Sequence, residues 1–176
     1  MKHHDRRSAR LQGYDYSQAG AYFITICSYN RECLFGEIKN GEMILNGFGE
    51  IVVFTWFDLV NHENHISLDY FVVMPNHVHG IIVISTNKTF VGAGSKPALI
   101  EAVSTRHGLS EIVRQFKTFS AKRINQLRET SAAAVWQRNY YEHVIRSEDE
   151  LNRIREYIQN NPLQWEVDPE NPAITR

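Results

Sequence analysis

Very little in this chain is suited to cross-linking, export or membrane insertion. Only two of its 176 residues are cysteines, Cys27 and Cys33. They form no CxxC pair and no disulfide framework, which fits a reducing compartment. No apolar run approaches the roughly 20 residues that span a bilayer. The basic N-terminus lacks the apolar stretch of a signal peptide. These absences point to a soluble, cytoplasmic protein with no membrane partner. There is no solenoid-type repeat. Nor is there an excess of either charge: 19 Lys and Arg face 20 Asp and Glu, for a net charge of -1. Bulk charge therefore does not announce a nucleic-acid partner.

Charge is nevertheless unevenly spread. Lys2, Arg6, Arg7 and Arg10 crowd the N-terminus, with Tyr14 and Tyr16 close behind. Arg106, Arg114, Lys117, Lys122, Arg123 and Arg128 follow one another along a later segment, opposed within it mainly by Glu111. Local basic stripes of this kind can bind phosphate on a molecule that is neutral as a whole.

The chain length suits one compact domain with a short arm. Residues 1–19 read as a basic arm, 20–165 as the domain and 166–176 as a surface tail. Within the domain, 21–29 is β-branched and aromatic, as a buried strand is. Residues 34–45 form a hairpin region around Asn40-Gly41, a favoured turn pair. Ile51, Val52, Trp56, Leu59 and Val60 recur at helical spacing over 47–62. Strands follow at 66–74 and 77–84, joined by a turn at Pro75-Asn76. Residues 85–107 lack periodicity and read as a flexible loop. A helix over 108–129 carries Leu109, Ile112, Val113, Phe116, Phe119 and Leu127 on one stripe. Residues 140–146 make a last strand. Ser147 to Glu150 is a capping box opening a final helix, which Pro162 ends. Without the small hairpin, this is the α+β, ferredoxin-like βαββαβ order, an antiparallel sheet with an added C-terminal helix.

His77 and His79 stand one residue apart on a predicted strand, so both imidazoles project from the same face. Neutral imidazoles are good ligands for a divalent metal. Two are too few for a closed structural site, leaving positions for a third ligand and for substrate oxygens. The plainer alternative is an incidental histidine pair. Tyr157 lies on the final helix with Asn161 one turn further on. A tyrosine oxygen can attack phosphorus and divide a hard displacement into two easier ones. Asn161 could offer an amide oxygen to the same metal. On spacing alone, however, Tyr157 also reads as a core aromatic. Asn161 reads as a helix cap before proline, and Asn160 could take its place.

Several strings resemble one family. VVMPNHVHGIIVI (72–84), VWQRNYYEHVIR (135–146) and REYIQNNP (155–162) look like the REP-associated tyrosine transposases, bacterial members of the single-tyrosine HUH superfamily of IS200-like transposases. GYDYSQAGAYFITICSYNR (13–31), FGEIKNGEMILNGFGEIV (35–52), LSEIVRQFKTFSAKRIN (109–125) and NPLQW (161–165) fit the same pattern, so the resemblance covers most of the chain. It implies a ferredoxin-like fold. It implies Mg²⁺ or Mn²⁺ held by His77 and His79, with Asn161 as the polar third ligand and Tyr157 as the nucleophile. The implied substrate is single-stranded DNA bearing palindromic hairpins. That DNA would be nicked and rejoined through a 5′-phosphotyrosine by a cytoplasmic, nucleoid-associated enzyme. Monomers and helix-swapped homodimers both occur among such enzymes, so Tyr157 could serve its own histidines or a partner's.

For holding DNA, the candidates are Arg6, Arg7 and Arg10 in the arm and Arg114, Lys117 and Arg123 on the long helix. The plainer reading of each group is a solvated arm or helix face. Trp136, Gln137, Arg138 and Tyr140 could pack or touch DNA. His143 is a candidate neighbour of the metal site, while His62, His65 and His107 read as incidental. Two rivals to a nicking transposase remain: a hairpin-DNA-binding regulator with little or no cleavage, and a phosphodiesterase acting through water.

Overall fold

The computed structural model describes residues 14–85 and 107–174. Its elements in chain order are β1 (Gly20–Cys27), β2 (Gly36–Lys39), β3 (Glu42–Leu45), α1 (Gly47–His62), β4 (Ile66–Val73), β5 (His77–Ile84), α2 (Leu109–Leu127), β6 (Tyr141–Ile145) and α3 (Glu148–Asn160). Short 3-10 segments lie at Tyr29–Arg31 and Pro162–Val167. The main sheet is antiparallel in the order β4-β5-β1-β6, with the β2–β3 hairpin standing apart. This is the expected ferredoxin-like arrangement with a further C-terminal helix.

The period of two along β5 divides its residues between two layers. Val78, Ile82 and Ile84 join the main core, where Val52 and Trp56 of α1 and Ile112, Val113 and Phe116 of α2 pack on the sheet. Ile81, one step out of phase, belongs instead to a smaller cluster with Phe23 and Ile158 of α3. His77 and His79 share the phase of Ile81, so they face the α3 layer.

Gly80 lies between the two histidines and Ile81, on the opposite face. A Cβ there would come within 2.5 Å of the Trp56 ring and 3.1 Å of Phe71. Those rings are stacked at 4.4 Å and cannot both withdraw. We expect Gly80→Ala to destabilise the fold by about 1–3 kcal/mol through overpacking. An unchanged denaturation midpoint would refute the close-packing argument.

The helix starts follow their capping residues. The Asn46 side chain accepts from Phe48 N and Gly49 N at 2.9 and 3.1 Å. Ser147 Oγ accepts from Glu150 N at 3.2 Å, while the Glu150 carboxylate accepts from Arg146 N at 2.8 Å. Both arrangements satisfy backbone donors that the first turn leaves unpaired.

Four expectations need correction. The first strand stops at Cys27 rather than residue 29, because Asn30 and Arg31 turn through φ 53° and 57°. Val60 and Leu127 are exposed, and the buried stripes run through Thr55 and Leu59 on α1 and through Ser120 and Ile124 on α2. The end of the arm is docked: Leu109 N donates to Tyr16 O at 3.0 Å, and the Tyr14 and Tyr16 rings meet at 4.9 Å. The tail beyond Trp165 does not simply lie on the surface, since Asp168 and Asn171 are buried. Polar groups make this burial possible. Glu170 N donates to Asp168 Oδ1, Asn171 Nδ2 to Trp165 O, and Arg31 Nη1 sits 2.8 Å from Glu170 Oε2. The loop expected at 85–107 falls, between 86 and 106, outside the described residues, as does the arm through residue 13.

Candidate active site

The β4–β5 turn closes with Met74 N donating to His77 O at 2.8 Å, which sets both histidines at the start of a central strand. His77 is fully buried and His79 is 3% exposed. Each ring is held from behind. His77 Nδ1 lies 2.8 Å from Asn76 Oδ1, and His79 Nδ1 lies 2.8 Å from Thr25 Oγ1 on the paired strand. The two Nε2 atoms are thereby turned towards one point, 3.0 Å apart. Outer partners of this kind are what orient imidazoles in metal sites.

α3 carries the third component. Ile158 is buried against Phe23 and Ile81, and Arg155 donates to both oxygens of Asp69 on β4 at 3.0 and 2.7 Å. With the helix so locked, Tyr157 Oη lies 3.3 Å from His79 Nε2. The ring meets Phe23 and His79 edge-on. At 40% exposure Tyr157 is no core aromatic. Its hydroxyl sits at the site while one side of the residue remains open to solvent.

Asn161 is both a helix cap and part of the site. It is buried, and its amide lies against His77 and Tyr157. Its Oδ1 is buried with no hydrogen-bond partner. An orphaned carbonyl oxygen beside the His77 imidazole is an acceptor with an unused lone pair, and a hard cation fits it.

Sequence reasoning missed Asp168. The 3-10 segment after Pro162 turns the chain back, and Asp168 Oδ2 comes to 3.8 Å from His77 Nε2. Among the described residues, His77, His79 and Asp168 bring one donor atom each within 4.8 Å of the others. Two imidazoles and one carboxylate form a set that a divalent cation takes. The Asp-Pro pair at 168–169 signals a turn, but nothing local signals its destination.

Electrostatics follow from this burial. Desolvation holds both imidazoles below their ordinary pKa, His79 well below, with the neighbouring His77 adding to the effect there. Asp168 and Glu170 pull His77 partly back. The rings are therefore neutral near pH 7, as ligands must be. Burial, then the Asp168 and Glu170 charges, push the Tyr157 phenol up, with Asn161 opposing.

This chain is 43% identical over 173 residues to an uncharacterised protein of Haemophilus influenzae, covering 94% of this chain and 92% of that one. Residues 98–161, a span that includes Tyr157 and Asn161, match the family model of IS200-like transposases. The chain belongs to the IS200-like transposases. Its fold matches that of a REP-associated tyrosine transposase solved bound to a REP hairpin, with a TM-score of 0.56 at 17% identity, covering 88% of this chain and 73% of that one.

Among the described residues, the expected DNA contacts of the transposase engage its own groups. Lys117 Nζ donates to Gln137 O and Arg138 O at 2.5 and 3.0 Å. Arg123 donates to Asp58 Oδ2 at 2.9 Å and lies over the Phe54 ring. Arg114 pairs with Glu111. All three sit on α2, across the sheet from the histidine pair. Arg6, Arg7 and Arg10 are outside the described residues. Trp136 packs: it is buried, and Nε1 donates to Ser120 Oγ at 2.9 Å. His143 is bonded to Glu150 at 2.7 Å rather than to the central pair. His65 and His107 both approach the buried carboxylate of Glu63, at 3.4 and 2.6 Å. Among the described residues, no helix is long and apolar enough to cross a membrane.

Proposed function

We propose that this transposase cuts and rejoins single-stranded, hairpin-bearing DNA through a covalent 5′-phosphotyrosine on Tyr157, within one chain. The observation that carries this reading is the 3.3 Å approach of Tyr157 Oη to His79 Nε2, in a cluster completed by His77 and Asp168. Membership of the transposase family supports DNA strand transfer. The fold relative's bound hairpin supports the choice of substrate.

Tyr157 Oη attacks phosphorus. As the Oη–P bond forms, the P–O3′ bond breaks, and the proton lost by the phenol balances the one gained by the departing 3′-oxygen. A 3′-OH reverses the step on the same phosphorus and rejoins DNA, so the bond energy is kept and no nucleotide is consumed. Phe23 and α3 fix the direction of the tyrosine ring. His77, His79 and Asp168, with Asn161 Oδ1 as a further donor, would hold Mg²⁺ or Mn²⁺. Such a cation, when bound, favours the phenolate and offsets charge gathering on the phosphoryl oxygens. Asn76 and Thr25 keep the two imidazoles aimed.

The test is incubation of hairpin-bearing single-stranded DNA with protein and Mn²⁺, read on denaturing gels. A covalent protein–DNA band supports the proposal. Binding without cleavage would make the protein a regulator, and cleavage that survives Tyr157→Phe would make it a hydrolase acting through water.

A further inference from the structure

We propose that Asn76 is a positioning residue that fixes the tautomer of His77, leaving its Nε2 lone pair free for a cation. Asn76 is fully buried. A primary amide has one end that only accepts and one that only donates. Nδ2 lies 2.7 Å from Glu170 O and 3.1 Å from Arg31 O. Carbonyl oxygens cannot donate, so the NH₂ end must face them, and an amide flip would set oxygen against oxygen twice. Oδ1 is therefore the atom 2.8 Å from His77 Nδ1. An amide oxygen cannot donate either, so the proton of that bond belongs to Nδ1. A neutral imidazole with Nδ1–H has a bare Nε2. That atom is the one aimed at His79 Nε2 and Asp168 Oδ2.

The partner of His79 does not do the same. Thr25 Oγ1, 2.8 Å from His79 Nδ1, is a hydroxyl that can donate or accept. The two histidines are thus supported unequally. One is locked in the ligand form by an amide whose own direction is set by two backbone carbonyls. The other sits against a rotor compatible with either tautomer.

The inference rests on the reading of the histidine pair as a cation site, but the tautomer can be measured without any cation. Uniformly ¹⁵N-labelled full-length protein in EDTA at pH 7.5 would be recorded in long-range ¹H–¹⁵N spectra, with His77 assigned by its loss in His77→Gln. The expected wild-type pattern is Nδ1–H. Asn76→Ala should lose it, giving Nε2–H or a mixture. Asn76→Asp still offers Nδ1 an acceptor and should keep it, at a cost in stability because its second oxygen faces Glu170 O and Arg31 O. Nε2–H in the wild type, or an unchanged tautomer in Asn76→Ala, would overturn the proposal. If Asn76→Ala does not fold, the wild-type spectrum alone decides.

Mn²⁺ titration by calorimetry separates the two readings. Asn76→Ala should bind about 10–100-fold more weakly, the usual cost of losing an outer partner. Equal affinity in that variant would remove the positioning role. A wild-type protein that shows Nδ1–H yet binds no Mn²⁺ would overturn the cation site, and with it the purpose assigned to the lock, while the tautomer assignment stood.

Discussion

Tyr157→Phe should abolish the covalent protein–DNA band and lower strand cleavage by on the order of 10⁴-fold, more than about 5 kcal/mol of transition-state stabilisation. In the proposed reaction the hydroxyl is the group that bonds to phosphorus, and phenylalanine leaves nothing in its place. The ring should stay where it is, because its contacts with Phe23 and His79 are edge contacts of the carbon skeleton. Removing a hydroxyl whose contacts are the 3.3 Å approach to His79 and the Asn161 amide, on a part-exposed residue, should change stability by about 1 kcal/mol. The measurements are adduct yield on gels, with the denaturation midpoint as control. A variant that folds normally and still forms the adduct would show that another group is the nucleophile.

His77→Ala should be nearly as damaging, for a different reason. It removes the buried donor whose Nε2 faces both His79 and Asp168. Cleavage in Mn²⁺ should fall by at least about 10³-fold, on the scale of about 4 kcal/mol. Hairpin binding should change little, because the side chain is wholly buried. The substitution also leaves Asn76 Oδ1 without its partner, at a cost of about 1–3 kcal/mol in stability. Thermal shift separates these effects. Wild-type protein at 100 times the dissociation constant for Mn²⁺ should gain about 2.7 kcal/mol, whereas the variant should gain nothing. An equal Mn²⁺-dependent shift in both proteins would remove His77 from the ligand set. Comparison of Asp168→Ala with Asn161→Ala by the same method would rank the carboxylate against the amide oxygen.

What could be read in the sequence is what local periodicity controls. Alternation on β5 put His77 and His79 on one face, and the Ser147 cap with the Leu151, Ile154 and Ile158 stripe set the helix that carries Tyr157. The unreadable parts depend on partners far apart in the chain. Arg123 meets Asp58, Arg155 meets Asp69, and Lys117 meets the carbonyls of Gln137 and Arg138. A run of basic residues looks the same whether solvent, phosphate or a distant carboxylate neutralises it. Asp168 is the clearest case. Its burial depends on a reversal after Pro162 and on Arg31 holding Glu170, so no apolar stripe announces it. Glu63 likewise gathers His65 and His107 from either side of the stretch at 86–106.

On the proposed reading, in which the helix bearing Tyr157 serves the sheet of its own polypeptide, both halves of the chemistry reside in a single folded copy. Two alleles, one ruined at the tyrosine and one at the histidines, would then have nothing to lend each other. Expressed together, they should behave as a simple double null, with neither complementation nor dominant interference.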